Sequence, residues 1–434
     1  MRLDKVRLIN YRCHRDLEVR FTPNFNVLAG VNGSGKTSLL RGIAETFSGL
    51  TRSISANGPI VAPLPPGTTR LERLDIQGRL RFEPQYPVTV EATAAFNDAS
   101  ETWAVTRASE TTGVAYAEST SGNLQRLGSH QSATDQTGGT LPVLAFYRAN
   151  RQWNAPPQSE LAAATQKNSR ADGYRNYWDA STDSGVLNTW VIAKCLERFQ
   201  VSSESGVAFD DIDDDELALV NSAISSAIEE AKGIKYDMRE KSLLVEWKQP
   251  ELSERPTIFE NLSDGQKAII GLIADIARRI CLLNPHLGQD VMTQTPGIVL
   301  IDELDMHLHP KWQRALTRGL QAAFPSVQFI VASHSPQVLS EMRPEQIIVL
   351  TEGSTSHPQV SYGLDSSAVL EEIMGASARP VEIEGDLSKL FVALERNDLD
   401  TARLILADLR INAPGIAELN RAEALLKRKE VLGR

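Results

Sequence analysis

The sequence predicts an α/β protein with a mostly parallel core sheet covered by helices on both faces. It also predicts an antiparallel sheet lobe, a helical lobe and a C-terminal helical appendage. Three observations support this fold class. A strand, a glycine-rich loop and an amphipathic helix follow one another over residues 25–50. Helical and strand-like segments then alternate over residues 265–350, which is typical of a parallel sheet. From residue 384 onward only helical periodicity remains.

Length and composition limit the class of protein. A chain of 434 residues predicts two or three structural units. With 41% hydrophobic and 23% charged residues, it has the composition of a soluble globular protein. The net charge of −10 disfavours unspecific DNA binding by the whole surface but permits a local basic patch. No apolar run is long enough for a membrane helix and the N-terminus lacks the pattern of a signal peptide, so we expect a cytoplasmic protein.

Periodicity divides the chain into four regions. We predict one half of the core with the antiparallel lobe (1–150), a helical insertion (151–240), the other half of the core (241–360) and the appendage (361–434). In the first region, alternating residues predict two or three strands before residue 28, followed by an antiparallel sheet that includes residues 71–82 and 88–96. An apolar run at residues 141–147 predicts a buried strand.

Two further features favour structural roles. The acidic run at residues 210–216 fits a solvated helix N-terminus better than a metal site. Cys13, Cys195 and Cys281 are far apart and lack CxxC spacing, so we expect small buried side chains and neither disulfides nor a zinc knuckle.

The glycine-rich loop carries the strongest chemical signal. Residues 30–37 read GVNGSGKT, which fits GxxxxGK[ST] between a strand and a helix. In such a loop the backbone N–H groups surround phosphates, Lys36 reaches the β- and γ-phosphates and the Thr37 hydroxyl binds Mg²⁺. We therefore predict a nucleotide and Mg²⁺ as ligands. The predicted nucleotide-binding residues of this segment are Gly30, Asn32, Gly33, Ser34, Gly35, Lys36, Thr37 and Ser38.

A second chemical signal follows the apolar strand at residues 298–301. This strand ends in Asp302 and Glu303, which places two carboxylates at the C-terminal edge of the predicted sheet, beside the glycine loop. We expect Asp302 to bind Mg²⁺, directly or through water. We expect Glu303 to polarise the water that attacks the γ-phosphate.

Residues 262–267 read LSDGQK and precede an apolar helix. This segment resembles the LSGGQ signature of ABC-type ATPases, with Asp264 in place of the first glycine, although Ser263 alone also fits an ordinary helix N-cap. The resemblance implies that this helix start contacts a γ-phosphate held by a second protomer. The predicted trans residues are Ser263, Asp264, Gly265 and Gln266. Asp305 resembles the D-loop residue at the dimer interface, and His334 resembles the switch histidine that contacts the γ-phosphate.

The ordered motifs together resemble the ABC-type P-loop ATPase heads of the SMC, RecF and OLD group. The segments at residues 10–12, 262–285, 301–313 and 329–339 are similar to the RecF-like ATPases of anti-phage modules, including the PtuA-type ATPases of Septu and retron systems. The resemblance implies ATP hydrolysis by a homodimer or higher oligomer. Because no Toprim-like or HNH cluster follows the motifs, it also implies a separate effector: an HNH or other nuclease, or a retron reverse transcriptase with its DNA. The alternative is a RecF-like repair factor that binds DNA.

Two assignments near the nucleotide leave alternatives open. Arg12 stands where the group often has a basic residue beside the nucleotide, but a surface salt bridge explains it nearly as well. Gln152 is the candidate Q-loop residue, with Arg148 and Arg151 as phosphate or DNA contacts, and a solvated loop fits this segment equally.

Two further patterns favour structural explanations. Lys311, Arg314 and Arg318 form one basic helix face that fits solvation better than a DNA groove. His307 and His309 form an HxH pair that no carboxylate–histidine set completes, so we predict no metal there.

Overall fold

A computed structural model describes residues 1–48, 64–96, 99–118, 139–151, 153, 159–248, 256–377 and 379–432. The chain divides into two compact units, Met1–Leu364 and Asp365–Arg434. The strands of the first unit are β1 (Arg2–Tyr11), β2 (His14–Arg20), β3 (Phe25–Ala29), β4 (Leu71–Ile76), β5 (Arg79–Pro84), β6 (Val88–Phe96), β7 (Ala99–Arg107), β8 (Val114–Glu118), β9 (Val143–Tyr147), β10 (Ala231–Asp237), β11 (Ser242–Trp247), β12 (Thr257–Ile258), β13 (Gly297–Ile301), β14 (Val327–Ala332), β15 (Ile347–Thr351) and β16 (Ser354–Ser356). Its α-helices are α1 (Lys36–Thr46), α2 (Glu160–Thr165), α3 (Ser184–Ser205), α4 (Glu216–Ala227), α5 (Asp264–Leu283), α6 (Val291–Gln294), α7 (Pro310–Ala323) and α8 (Pro336–Leu339).

The core sheet has six strands in the order β16-β15-β3-β14-β13-β9. Every pairing is parallel except that of β15 with β16. All residues of β3, β9, β13 and β14 are buried, as expected for parallel strands covered on both faces. The prediction of an α/β core with a mostly parallel sheet is confirmed. Because the C-terminal ends of these strands meet at one edge, the loops that follow them converge there.

The antiparallel lobe is built differently from the predicted single sheet. Strands β6 and β7 join β1, β2 and β8 in a five-stranded sheet, whereas β4 and β5 form a separate two-stranded hairpin. In β6 every second residue is buried, whereas Leu71, Leu80 and Phe82 of the hairpin are more than half exposed. Alternation alone does not distinguish a strand with one buried face from a hairpin that is exposed on both faces. A fourth sheet, β10-β11-β12, begins within the region predicted as helical.

The acidic run at residues 210–216 supplies the N-cap of a helix in the insertion. Asp215 is the N-cap of α4: its Oδ1 accepts a hydrogen bond from the Ala218 N–H at 2.8 Å, and its carboxylate pairs with Arg198. Within the described ranges, no three His, Cys, Asp or Glu side chains are grouped to hold a metal ion. Cys195 and Cys281 are buried, and burial raises the pKa of the Cys195 thiol to about 11. Cys13 is exposed, so the expectation of a buried side chain was wrong for this residue.

The second unit is helical. Its helices are α9 (Ser366–Glu372), α10 (Val381–Glu395), α11 (Leu399–Asn412) and α12 (Ala417–Leu432). The last three helices share an apolar core that contains Leu390, Leu409 and Leu419. Among the helices that the structure describes in either unit, none combines the length and apolar character that crossing a membrane requires.

Candidate active site

The loop between β3 and α1 follows a course that glycine permits. Gly30, Gly33 and Gly35 have φ values of 140°, 83° and 97°, a region that L-residues with a side chain rarely adopt. A Cβ on Gly30 would lie 2.5 Å from the Leu350 carbonyl oxygen. A Cβ on Gly35 would lie 2.4 Å from the His14 ring. The loop therefore depends on these glycines both for its dihedral angles and for space.

Polar groups inside the loop are arranged to receive phosphate. The Lys36 side chain is only 7% exposed, and its Nζ donates to the carbonyl oxygens of Gly30 at 2.9 Å and Val31 at 3.1 Å. Burial lowers the pKa of Lys36, and the carboxylates at residues 302, 303 and 305 oppose this shift. The Ser34 Oγ is buried and has no hydrogen-bond partner among the described residues. A phosphate oxygen would satisfy this hydroxyl and give the ammonium an anionic partner.

The candidate metal ligands lie next to each other. The Thr37 Oγ1 donates to Asp302 Oδ1 at 3.2 Å, across the edge of the core sheet. Burial raises the pKa of Asp302, and the hydrogen bond from Thr37 partly offsets this effect. A hydroxyl and a carboxylate are the hard oxygen donors that Mg²⁺ prefers, so the pair fits this ion.

Glu303 and His334 face the same cavity as the glycine loop. Glu303 is exposed and has a φ of 49°. Burial lowers the pKa of His334, and the charge of Lys36 lowers it further, so the imidazole is neutral near pH 7. The cavity has a volume of about 420 Å³. Its lining residues are Arg12, Cys13, Asn32, Gly33, Gly35, Lys36, Thr37, Ser38, Asp302, Glu303 and His334.

The Asp305 carboxylate binds the switch segment, Ser333 and His334, of its own chain. Its Oδ1 accepts hydrogen bonds from the Ser333 Oγ at 2.6 Å and from the His334 N–H at 3.2 Å. These bonds fix the backbone that carries His334. The expectation for Asp305 was a position across a dimer interface; within one chain it joins the loop after β13 to the loop after β14.

The signature-like segment starts α5 with a capping box. The Ser263 Oγ accepts from the Gln266 N–H at 3.3 Å, and Gln266 Oε1 accepts from the Ser263 N–H at 3.1 Å. Ser263 and Asp264 are exposed, whereas Gly265 is buried. A Cβ on Gly265 would lie 2.2 Å from the His307 carbonyl oxygen, so glycine lets α5 contact the loop after β13. The four segment residues from Ser263 to Gln266 do not line the cavity at the glycine loop.

Arg12 lies at the mouth of the cavity. Its backbone has a φ of 52°, and its N–H donates to the Thr68 carbonyl oxygen at 2.6 Å. Within the described ranges, the Arg12 guanidinium forms no ion pair. The alternative explanation, a surface salt bridge, requires one. The side chain lines the cavity, as a nucleotide contact would.

The segment after β9 differs from the expectation. Gln152 lies outside the described residues. The Arg148 guanidinium stacks 4.3 Å from the Trp178 ring and pairs with Asp179 at 3.0 Å. Arg151 is only 5% exposed, and its NH1 and NH2 donate to the carbonyl oxygens of Asp302 at 2.5 Å and Glu303 at 2.7 Å. The interpretation of Arg151 as a phosphate or DNA contact was therefore wrong; its guanidinium points into the protein.

Two side chains of the basic face on α7 form ion pairs. Lys311 pairs with Glu230 at 2.7 Å and Arg318 pairs with Glu341 at 3.1 Å, both partly exposed to solvent. These pairs fit the predicted solvated face. His309 is the N-cap of α7, where its Nδ1 accepts from the Lys311 N–H at 3.3 Å.

The fold and the site together fit an α/β P-loop ATPase head. A family model described as "AAA domain" matches residues 5–187. Another, described as "AAA domain, putative AbiEii toxin, Type IV TA system", matches residues 198–340.

Three curated relatives make the assignment more specific. A retron Vc95 probable ATPase from Vibrio cholerae serotype O1 biovar El Tor is 24% identical over 450 residues, covering 92% of this chain and 85% of the relative. A retron Ec83 probable ATPase from Escherichia coli is 45% identical over 122 residues, covering 28% of this chain and 22% of the relative. The Septu protein PtuA from Bacillus mycoides is 31% identical over 181 residues, covering 40% of this chain and 23% of that relative. The chain is similar to these retron and Septu ATPases, so the expected resemblance to them is confirmed.

Proposed function

We propose that this ATPase is the regulatory subunit of an anti-phage defence complex, and that it forms a dimer around ATP to restrain or activate a separate effector. The exposed start of α5 is the observation that supports the dimer. Ser263 and Asp264 face solvent and do not line the cavity that holds Lys36. A second copy could therefore place its Ser263 helix end at the γ-phosphate, where a helix N-terminus stabilises negative charge.

The residues around the cavity have complementary roles in hydrolysis. Glu303 orients and polarises the attacking water, and Lys36 neutralises the charge that develops on the phosphate oxygens. The imidazole of His334 hydrogen-bonds the γ-phosphate, and the contacts of Asp305 with Ser333 and with the His334 backbone hold this side chain in place. Thr37 and Asp302 would hold Mg²⁺, which supplies charge neutralisation at the phosphates when bound.

The regulatory role is supported by the length over which the chain aligns with a retron ATPase. We infer that the effector is a separate protein, either an HNH or other nuclease or a retron reverse transcriptase with its DNA. The described residues contain no metal-binding group of three or more His, Cys, Asp or Glu that would serve a nuclease in this chain. Opening and closing of the dimer, driven by ATP binding and hydrolysis, would then control the effector.

Glu303→Gln separates ATP binding from hydrolysis. We expect the variant to bind ATP normally and to lose about 100-fold or more in turnover, because a carboxylate that activates water contributes at least this factor. Steady-state phosphate release and equilibrium binding of a fluorescent ATP analogue measure the two effects. Turnover at the wild-type rate would refute the role of Glu303.

The same variant tests the dimer. With ATP and Mg²⁺, light scattering after size exclusion should give twice the mass of the chain for Glu303→Gln, and a single mass for Glu303→Gln combined with Ser263→Arg. Ser159→Arg is the matched control, since Ser159 is also an exposed helix N-cap and lies outside the site. A monomer in the Ser159→Arg control would show that any such substitution disturbs the chain.

Purification of the Glu303→Gln chain with ATP from its native host tests the regulatory role. A nuclease or reverse transcriptase recovered in stoichiometric amount supports the defence complex. Duplex DNA recovered without a protein effector contradicts it and favours a repair clamp.

A further inference from the structure

We propose that Arg151 is a positioning residue that holds the backbone of Asp302 and Glu303 in the conformation required for hydrolysis. This inference rests on the proposed role of Glu303 as the group that activates water. Arg151 comes from the segment after β9, in which the sequence predicts Gln152 as the Q-loop residue and Arg148 and Arg151 as phosphate or DNA contacts. Its position in the fold gives it a different task.

The contacts of Arg151 are directed at the backbone. Its guanidinium is buried, with NH1 2.5 Å from the Asp302 carbonyl oxygen and NH2 2.7 Å from the Glu303 carbonyl oxygen. Two parallel bonds from one planar group restrain both the position and the orientation of this peptide segment. The Asp302 N–H also donates to the Tyr147 carbonyl oxygen at 2.8 Å, so β9 and the residues after it hold Asp302 from both sides.

The conformation of Glu303 explains why such a restraint is needed. Its φ of 49° lies in the left-handed region, which is unfavourable for a residue with a side chain. Backbone in this region persists where surrounding contacts over-determine it. Arg151 supplies such a contact to the Glu303 carbonyl, which also accepts from the Met306 N–H at 3.1 Å.

The electrostatics of the site favour a charged Arg151 that leaves the carboxylates free. An arginine guanidinium remains protonated in proteins, so Arg151 carries a positive charge beside the carboxylates. Within the described ranges its bonds go to main-chain oxygens and to no carboxylate oxygen. Asp302 can therefore bind a metal ion, and Glu303 can bind water, while Arg151 holds both in place.

Arg148 and Trp153, which lie on either side of Arg151 in the sequence, also contact other elements. Arg148 is fixed by Trp178 and Asp179 on one side. On the other, Trp153 packs so closely on α5 that a Cβ on Gly271 would lie 2.5 Å from its indole ring. The segment thus connects the loop after β13 to the helix that begins with the signature-like residues.

Arg151→Gln is the direct test, made in the full chain. We expect kcat to fall roughly ten- to a hundredfold, because small displacements of a catalytic group have effects of this size. The affinity for ATP should stay within about twofold, since the contacts of the glycine loop are unchanged. In the Glu303→Gln background, Arg151→Gln should cause a much smaller further loss of turnover, because the part of its effect that acts through Glu303 is already lost.

Arg170→Gln is the matched control. Arg170 also donates to two main-chain oxygens, those of Leu283 at 2.6 Å and Gly139 at 2.5 Å, but it does not line the cavity. We expect this variant to lose stability while kcat and ATP affinity are retained. Arg151→Lys, which can reach one carbonyl at a time, should fold and show an intermediate kcat, so the test remains valid if Arg151→Gln does not fold.

The outcomes separate this inference from the proposed function. Wild-type kcat in a folded Arg151→Gln or Arg151→Lys variant, together with a defective Glu303→Gln variant, overturns the role of Arg151 alone. Losses that multiply in the double variant also overturn it. Wild-type turnover in Glu303→Gln overturns the role of Glu303 and, with it, the basis of the inference.

Discussion

At the scale of single residues, burial changes the charge of a carboxylate on the helix that follows the glycine loop. Glu45 lies on α1 and is almost fully buried. Its Oε1 accepts from the Tyr11 hydroxyl at 3.0 Å and its Oε2 accepts from the Leu64 N–H at 3.1 Å. Burial nevertheless raises the pKa of Glu45 from 4.5 to about 7, since the two hydrogen bonds only partly offset the loss of hydration.

This shift predicts a pH dependence of stability. Between pH 4.5 and about 7 the folded chain keeps a proton that the unfolded chain has released, so rising pH lowers the free energy of unfolding. The wild type should lose up to about 3 kcal/mol relative to Glu45→Gln across this range, at about 1.4 kcal/mol per unit of pKa shift. Urea unfolding of both chains at several pH values measures the difference. Parallel curves would show that Glu45 does not titrate there.

Residues of the site differ in how far sequence reveals them. The glycine loop and the Asp302–Glu303 pair are recognisable because their chemistry depends on neighbours within a few positions. Arg151 and Glu45 act through partners that only the fold brings close: the Asp302 carbonyl is 151 residues from Arg151. No local pattern marks an arginine that binds main-chain oxygens, so its role could not be predicted.

At the scale of elements, α5 is tied to the core sheet by buried charges. Asp275 is fully buried and pairs with Arg278 at 2.6 Å and Arg279 at 2.7 Å. The Tyr147 hydroxyl at the end of β9 donates to Asp275 Oδ2 at 2.8 Å. The two arginines hold the pKa of Asp275 below its usual value despite the burial.

Removing this carboxylate should be costly. Asp275→Asn leaves two buried guanidinium groups without a counter-charge, and breaking such a pair costs about 3–5 kcal/mol. Asp16→Asn is the control: its pair with Arg7 is about half exposed, and exposed pairs contribute at most about 1 kcal/mol. Urea unfolding of both variants measures the two losses. Equal losses would show that the buried network contributes no more than an exposed pair.

Sequence patterns predicted the elements correctly where at least one face is buried. The strands of the core sheet and the helix after the glycine loop follow from their apolar runs and periodicity. The hairpin at residues 71–84 alternates as a sheet strand does, yet it pairs only with itself among the described strands. Whether the hairpin joins the five-stranded sheet depends on which strands pair with β1. Residues far apart in the sequence determine this pairing.

At the scale of the whole molecule, the chain contains two units with separate cores. The second unit, Asp365–Arg434, packs α10, α11 and α12 around leucines that include Leu390, which is fully buried. The first unit, Met1–Leu364, contains every residue of the ATP cavity. Ligand binding and core substitutions should therefore act on different units.

Scanning calorimetry of the full-length Glu303→Gln chain tests this division. ATP with Mg²⁺ at a concentration 100 times Kd should stabilise the first unit by about 2.7 kcal/mol and raise the midpoint of its transition. Leu390→Ala should destabilise the second unit by about 2–5 kcal/mol, because it leaves a cavity in a small core, and should not change ATP affinity. A single transition that moves with both ATP and Leu390→Ala would show that the two cores unfold together, and that the helical unit contributes to the stability of the ATPase head.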